Sequence, residues 1–261
     1  SILTQTQGLG ASGDVNLTTG QLLIRDGAQI SSVSFSPGSS GNLNLNITNQ
    51  LELSGGVMLP GAPRPIFSTL STATLGFGPG GDVNINADRV LVQAGAVTTS
   101  DTRVGDLAAG NINLNVGQLR VSSGGQLSAT TFGSGNAGNI FIQAGESVEV
   151  SGGLGMDSSG IVSQVDVPRS PDAEPRPLAT GTGGNVNIQT PRLRILEGGQ
   201  ISAVTAGGGP GGRINLNTEL LDVQGSRNTP EGMIALSAVT AVTLGESNAG
   251  DLTVNSQQIR V

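Results

Sequence analysis

Apolar and polar residues alternate along short stretches of this chain, and the stretches themselves recur. The phrase "GNINLN" at 110–115 returns as "GNLNLN" at 41–46, "GDVNIN" at 81–86, "GNVNIQ" at 184–189 and "GRINLN" at 212–217. It begins at Gly13, Gly41, Gly81, Gly110, Gly138, Gly184, Gly212 and Gly250, at intervals of 28, 40, 29, 28, 46, 28 and 38 residues. With glycine as position zero, position two is Val15, Leu43, Val83, Ile112, Ile140, Val186, Ile214 and Leu252. Position four is aliphatic in every copy too, from Leu17 to Val254. Between them stand Asn16, Asn44, Asn84, Asn113, Phe141, Asn187, Asn215 and Thr253. One apolar and one polar face at period two predicts a β-strand.

A second strand follows, as in "QLLIRDG" at 21–27 and "RVLVQAG" at 89–95, and closes on glycine. Gly27, Gly55, Gly95, Gly124, Gly152 and Gly198 each lie fourteen residues after their phrase glycine, a spacing that predicts a corner at positive φ. A third, more polar strand comes next, at 29–35, 69–75, 126–132, 200–206 and 235–241. One repeat is therefore three short strands and three turns.

Such a unit cannot bury its aliphatic face alone. Stacking units at strand spacing pairs each strand in parallel with its equivalent and joins the inward columns into ladders. The expected fold is all-β, a right-handed parallel β-helix (single-stranded β-solenoid) with three strands per coil and about 28 residues per coil. One such segment spans 1–261, and outward Asn columns are expected to hydrogen-bond up the stack. Longer intervals mark loop insertions at about 56–68, 166–183 and 226–233. The first and third leave the corner before the third strand, and the longest leaves the corner after it.

Composition narrows the chemistry. The chain has no His, Cys, Trp or Tyr, and all 12 of its basic residues are Arg, which removes most nucleophiles, bases and soft metal ligands. A net charge of −7 with no basic stripe or stacking platform argues against nucleic acid as a partner. No apolar run approaches membrane-span length, so no membrane insertion is expected. The start "SILTQTQGLG" lacks the basic and apolar regions of a signal peptide, which places any targeting segment outside this stretch. Absence of cysteine fits a reducing compartment and equally a chain exported unfolded. The stretch "GPGGDVN" at 78–84 is similar to a calcium-binding nonapeptide but does not recur every nine residues, so no metal or cofactor is expected.

The phrases "GSGNAGNIFIQAGESVEVSGG" at 133–153 and "GQLLIRDGAQISSVSF" at 20–35 resemble the repeat region of filamentous-haemagglutinin-like exoproteins of Gram-negative bacteria. The resemblance runs through nearly the whole chain. It implies a long right-handed β-helix exported by two-partner secretion, threaded unfolded through a dedicated outer-membrane transporter barrel. It also implies a role in adhesion at the cell surface. The family's amino-terminal secretion domain, with its Asn-Pro motifs, is not in this sequence.

The expected function is that of a non-catalytic rod segment of a secreted or surface-exposed adhesin, contacting a cell-surface or matrix glycan or protein. A secreted polysaccharide-degrading β-helix enzyme is the alternative, and it requires acids converging on adjacent coils. Asp14, Asp82 and Asp251 share a column but not neighbouring coils. A further alternative, an ice- or crystal-binding solenoid, requires a flat, regular Thr array. The three insertions are expected to wall the Ser/Thr-rich face of the third strands. Candidate contacts are Arg64, Arg169, Asp172, Glu174 and Arg176 in the loops, with Ser71, Ser128, Ser202 and Ser237 on the strands. Both ends of the chain are expected to fall inside a coil, without a cap.

Overall fold

A computed structural model describes residues 1–102, 107–166 and 180–261. Two eight-stranded parallel sheets dominate it. Long strands form one sheet, running in order through Val15–Arg25, Leu43–Ser54, Val83–Gln93, Ile112–Ser122, Ile140–Ser151, Val186–Leu196, Ile214–Gln224 and Leu252–Arg260. Short strands form the other, through Ile2–Thr6, Gln29–Ser34, Thr69–Thr74, Val97–Thr102, Gln126–Thr131, Gly160–Val165, Gln200–Thr205 and Ala238–Thr243. Each strand pairs with its equivalent one coil away, as Ile112 does with Ile140 and Leu127 with Ile161. The chain is a parallel β-solenoid.

The first and second segments of each repeat run on as one strand that bends. In Ile112–Ser122 the inward residues are Ile112, Leu114 and Val116, then Leu119 and Val121. Two consecutive half-buried residues, Gly117 and Gln118, intervene, and the pairing register slips there. The alternation therefore changes phase, which turns the chain while both halves keep their aliphatic side chains inside.

The expected aliphatic column is buried in seven coils, from Val15 at 7% exposure to Ile214 at 0%. Leu252 departs from expectation: it is 46% exposed because it lies in the last strand of the long sheet, with no coil above it. Within the short sheet the inward positions are partly hydroxylic. Thr72 donates to the carbonyl of Gly81 at 2.6 Å, Ser100 to the same carbonyl at 3.0 Å and Ser163 to that of Gly138 at 2.8 Å. These hydroxyls satisfy the carbonyls of Gly81 and Gly138 within the stack.

Phrase glycines stack backbone on backbone. A Cβ on Gly138 would lie 2.8 Å from the carbonyl carbon of Gly110 and closer still to its oxygen, so no side chain fits. The corner glycines serve differently, and all six expected positions have positive φ. Four coils turn through a residue pair in the left-handed region, Asp26–Gly27, Ala94–Gly95, Ser123–Gly124 and Glu197–Gly198. The other three, at Gly55, Gly152 and Gly225, use a single such glycine and then depart into a hairpin.

Hairpins correct the reading of the insertions. One pairs Gly56–Val57 with Ile66–Phe67, and another pairs Ser226–Asn228 with Ile234–Leu236. A third, unexpected from the sequence, pairs Gly153–Leu154 with Asp157–Ser158. The pairing of Gln126 with Gly160, 34 residues on, shows that part of the extra length assigned to 166–183 belongs to this hairpin instead. The last short strand is Ala238–Thr243, in register with Gln200–Thr205, and not 235–241.

Candidate contact surfaces

Three hairpins leave the same corner, between a long strand and the short strand that follows. Each ends in a serine that fixes its base. Ser68, Ser159 and Ser237 accept the backbone N–H of Gly27, Gly124 and Gly198 at 3.1, 2.9 and 3.0 Å. They donate to the carbonyls of Ser54, Ser151 and Gln224 at 2.8, 2.7 and 2.7 Å. Every serine thus ties its own coil to the tight corner of the coil before it. The hairpins also lie along the rod over neighbouring corners: a Cβ on Gly27 would strike Val57, one on Gly124 would strike Leu154, and one on Gly95 the ring of Phe67. Arg227 joins the last two hairpins by donating to the carbonyls of Gly155 at 2.9 Å and Met156 at 3.4 Å.

Apolar side chains stand out from this ridge. Val57, Met58 and Leu59 are 40%, 58% and 45% exposed, Leu154 and Met156 44% and 45%, and Met233, Ile234 and Leu236 54%, 65% and 63%. The chain has three methionines, and each hairpin displays one of them. Between the second and third hairpins lies a shallow pocket of about 380 Å³, bordered by Met156, Met233 and Ile234 and floored by Gln126, Val162 and Gln200 of the short sheet.

The residues expected at the contact face are divided by the structure. Arg64 is exposed in the first hairpin, between its two strands. Ser71, Ser128 and Ser202 lie in one outward column of the short sheet, interleaved with Thr99 and Val162. Ser237 does not belong with them: it sits at the corner with its hydroxyl engaged, and Thr240 takes the place opposite Ser202. Arg169, Asp172, Glu174 and Arg176 lie outside the described residues. The methionines were missed in the sequence because insertions carry no periodicity; their signal was that every Met falls where the repeat is broken.

On the long sheet the expected amide ladder is present. Asn44 Nδ2 donates to Asn16 Oδ1 at 2.9 Å, Asn84 to Asn44 at 2.9 Å, Asn113 to Asn84 at 2.8 Å and Asn215 to Asn187 at 2.9 Å. A second file of side-chain oxygens accepts backbone N–H groups from the next coil, as Asn111 does from Asn139 at 3.0 Å and Asn139 from Asn185 at 2.9 Å. The first ladder breaks at Phe141, whose ring is 43% exposed. Around it runs a shallow trough of about 390 Å³ lined by amides and aliphatic edges.

Charges form their own file further along the same strands. Arg120, Glu149, Arg194 and Asp222 are successive register partners with alternating sign. Glu149 meets Arg120 at 3.4 Å and Arg194 at 3.1 Å, and Arg194 reaches Asp222 at 3.9 Å. Earlier in the stack, Arg25 holds Glu52 through bonds of 3.1 and 2.7 Å. Those hydrogen bonds hold the Glu52 carboxyl below its ordinary pKa, against the opposing effect of burial and with help from the Ser54 hydroxyl. Glu52, Glu149 and Asp222 are thus each engaged by an arginine of a neighbouring coil. Among the described residues no group of three or more acids is arranged to hold a metal ion.

Comparison with protein-family models, with curated proteins and with solved structures finds no match to this chain.

Proposed function

We propose that the chain is a non-catalytic rod segment of a secreted, surface-exposed adhesin-like exoprotein, and that it makes cell-surface, matrix or cell-to-cell contacts through the hairpin ridge. The observation that carries this reading is the display of Met58, Met156 and Met233, with their aliphatic neighbours, from three hairpins at one corner of a rigid stack. Apolar side chains held in water at this density are the chemistry of a protein-contact surface, and methionine adapts its shape to a partner. The serines at the hairpin bases hold the ridge in place before contact, which lowers the ordering cost of binding. Repetition at several coils adds avidity, so single contacts can be weak.

Export through an outer-membrane transporter barrel belongs to the same proposal. A cysteine-free chain whose coils each pair only with their neighbours suits passage in an unfolded state.

The test is adhesion of beads coated with the chain to cell monolayers and to extracellular matrix. Replacing Met58, Met156 and Met233 together with Gln leaves the buried core untouched and is expected to reduce attachment by about tenfold, with the circular dichroism unchanged. Undiminished attachment would refute the ridge as the contact surface.

A further inference from the structure

Phe141 occupies the one coil of the inner stack where the outward amide column is broken. Its register partners are Asn113 below and Asn187 above. Elsewhere in that column each Nδ2 donates to the Oδ1 of the coil before it. Here Asn113 Oδ1 receives no donor and Asn187 Nδ2 reaches no acceptor among the described residues. The adjoining column behaves likewise. Asn86 bonds Asn46 at 3.0 Å and Asn255 bonds Asn217 at 2.9 Å, but the side chains of Asn115, Gln143 and Gln189, beside Phe141, are joined by no such bond. Laddering is therefore relaxed around the exposed ring.

We propose that this trough is a subsite for a neutral polysaccharide, with one pyranose ring stacked on Phe141 and its hydroxyls bonded to Asn113 Oδ1 and Asn187 Nδ2. Three features of the geometry select that ligand. The phenyl ring offers a flat apolar face, which suits the C–H face of a sugar. Asn113 and Asn187 lie two strand spacings apart, about 9.6 Å, which leaves room for two hydrogen bonds of about 2.8 Å on either side of one sugar ring. No charged residue lines the trough, so nothing there compensates a uronate or sulfate group. The amide columns run along the rod, so a β-linked chain lying parallel to the axis meets a new amide at each coil. The ring and amides sit on the long sheet, away from the hairpin corner, and the proposal does not rest on the hairpin reading.

Affinity electrophoresis tests it, because the net charge of −7 carries the protein through native gels. Gels would contain hydroxyethylcellulose, galactomannan or polygalacturonate. The chain is expected to be retarded by at least one of the two neutral glycans and not by polygalacturonate. Phe141→Asn completes the amide column and so keeps the fold, and it is expected to weaken retardation by about tenfold or more; Phe141→Trp is expected to retain it. Migration unaffected by both neutral glycans, retardation by polygalacturonate alone, or a Phe141→Asn variant retarded like the parent would each overturn the subsite. Bead adhesion that persists in those cases would leave the hairpin contact reading standing.

Discussion

Gly138→Ala is expected to be among the most damaging single changes on the chain, although it adds only one methyl group. The new Cβ would lie 2.8 Å from the carbonyl carbon of Gly110 and nearer to its oxygen, where real Cβ atoms are not found closer than 3.0 Å. Relieving that contact requires the two coils to part by about an ångström at this corner. The bonds beside it have no such slack: Asn139 N to Asn111 Oδ1 is 3.0 Å and Ile112 N to the Asn139 carbonyl is 2.9 Å. Stretching two or three of them beyond hydrogen-bonding range, with the strain left over, comes to about 3–4 kcal/mol. Gly145→Ala is the control, since a Cβ there meets only the Val116 carbonyl oxygen at 3.9 Å; its expected cost is below about 0.5 kcal/mol. Urea unfolding gives the difference. Hydrogen exchange locates it, with lost protection expected in the strands flanking Gly138 and little change near the ends. Equal stability of the two variants would refute the backbone-on-backbone account of the phrase glycine.

Three further outcomes are expected. Ile112→Ala empties a fully buried site and should cost about 2–5 kcal/mol in thermal or urea unfolding, whereas Asn113→Ala, losing one surface amide bond, should cost below about 1 kcal/mol. Thr98 stands in the inward column between Leu70 and Leu127 at 1% exposure, and its hydroxyl has no partner among the described residues; Thr98→Val should therefore raise stability by about 1 kcal/mol, and a lower unfolding midpoint would contradict this. Because Arg25 lowers the folded pKa of Glu52, the pair contributes fully above the unfolded carboxyl pKa of about 4.3 and is lost as pH falls through the depressed folded value. Glu52→Gln should flatten that acid limb by about 1 kcal/mol or less, measured as unfolding midpoints at pH 7, 4 and 3.

The solenoid was legible because its rungs are physically constrained. Inward positions must be aliphatic, corners need positive φ, and both recur at the interval of a coil, so Val15 through Ile214 and Gly27 through Gly198 fall where the pattern puts them. The insertions obey no such constraint. The interval of 46 residues between Gly138 and Gly184 includes a hairpin as well as further residues after the short strand, and spacing alone cannot divide the extra length between them. In "ALSAVTAVT" at 235–243 the resemblance of "LSAVT" to the earlier "ISAVT" points to the wrong frame, because Ile234–Leu236 is consumed by the hairpin. Ser237 was misplaced for that reason. Phe141 was visible from the outset as the sole aromatic in an amide column, but only the broken hydrogen bonds on either side show what the departure does.

The amide ladder has a direction that the sheets lack. Parallel strands send backbone groups both up and down the stack, yet the Nδ2 groups of Asn44, Asn84, Asn113 and Asn215 all donate to the coil that precedes them in the chain, and so do the N–H groups of Asn139 and Asn185. A finished coil therefore presents acceptors, and the coil that follows brings the donors. For a chain emerging amino-terminus first, each completed rung already presents the acceptors that the donors of the next coil require.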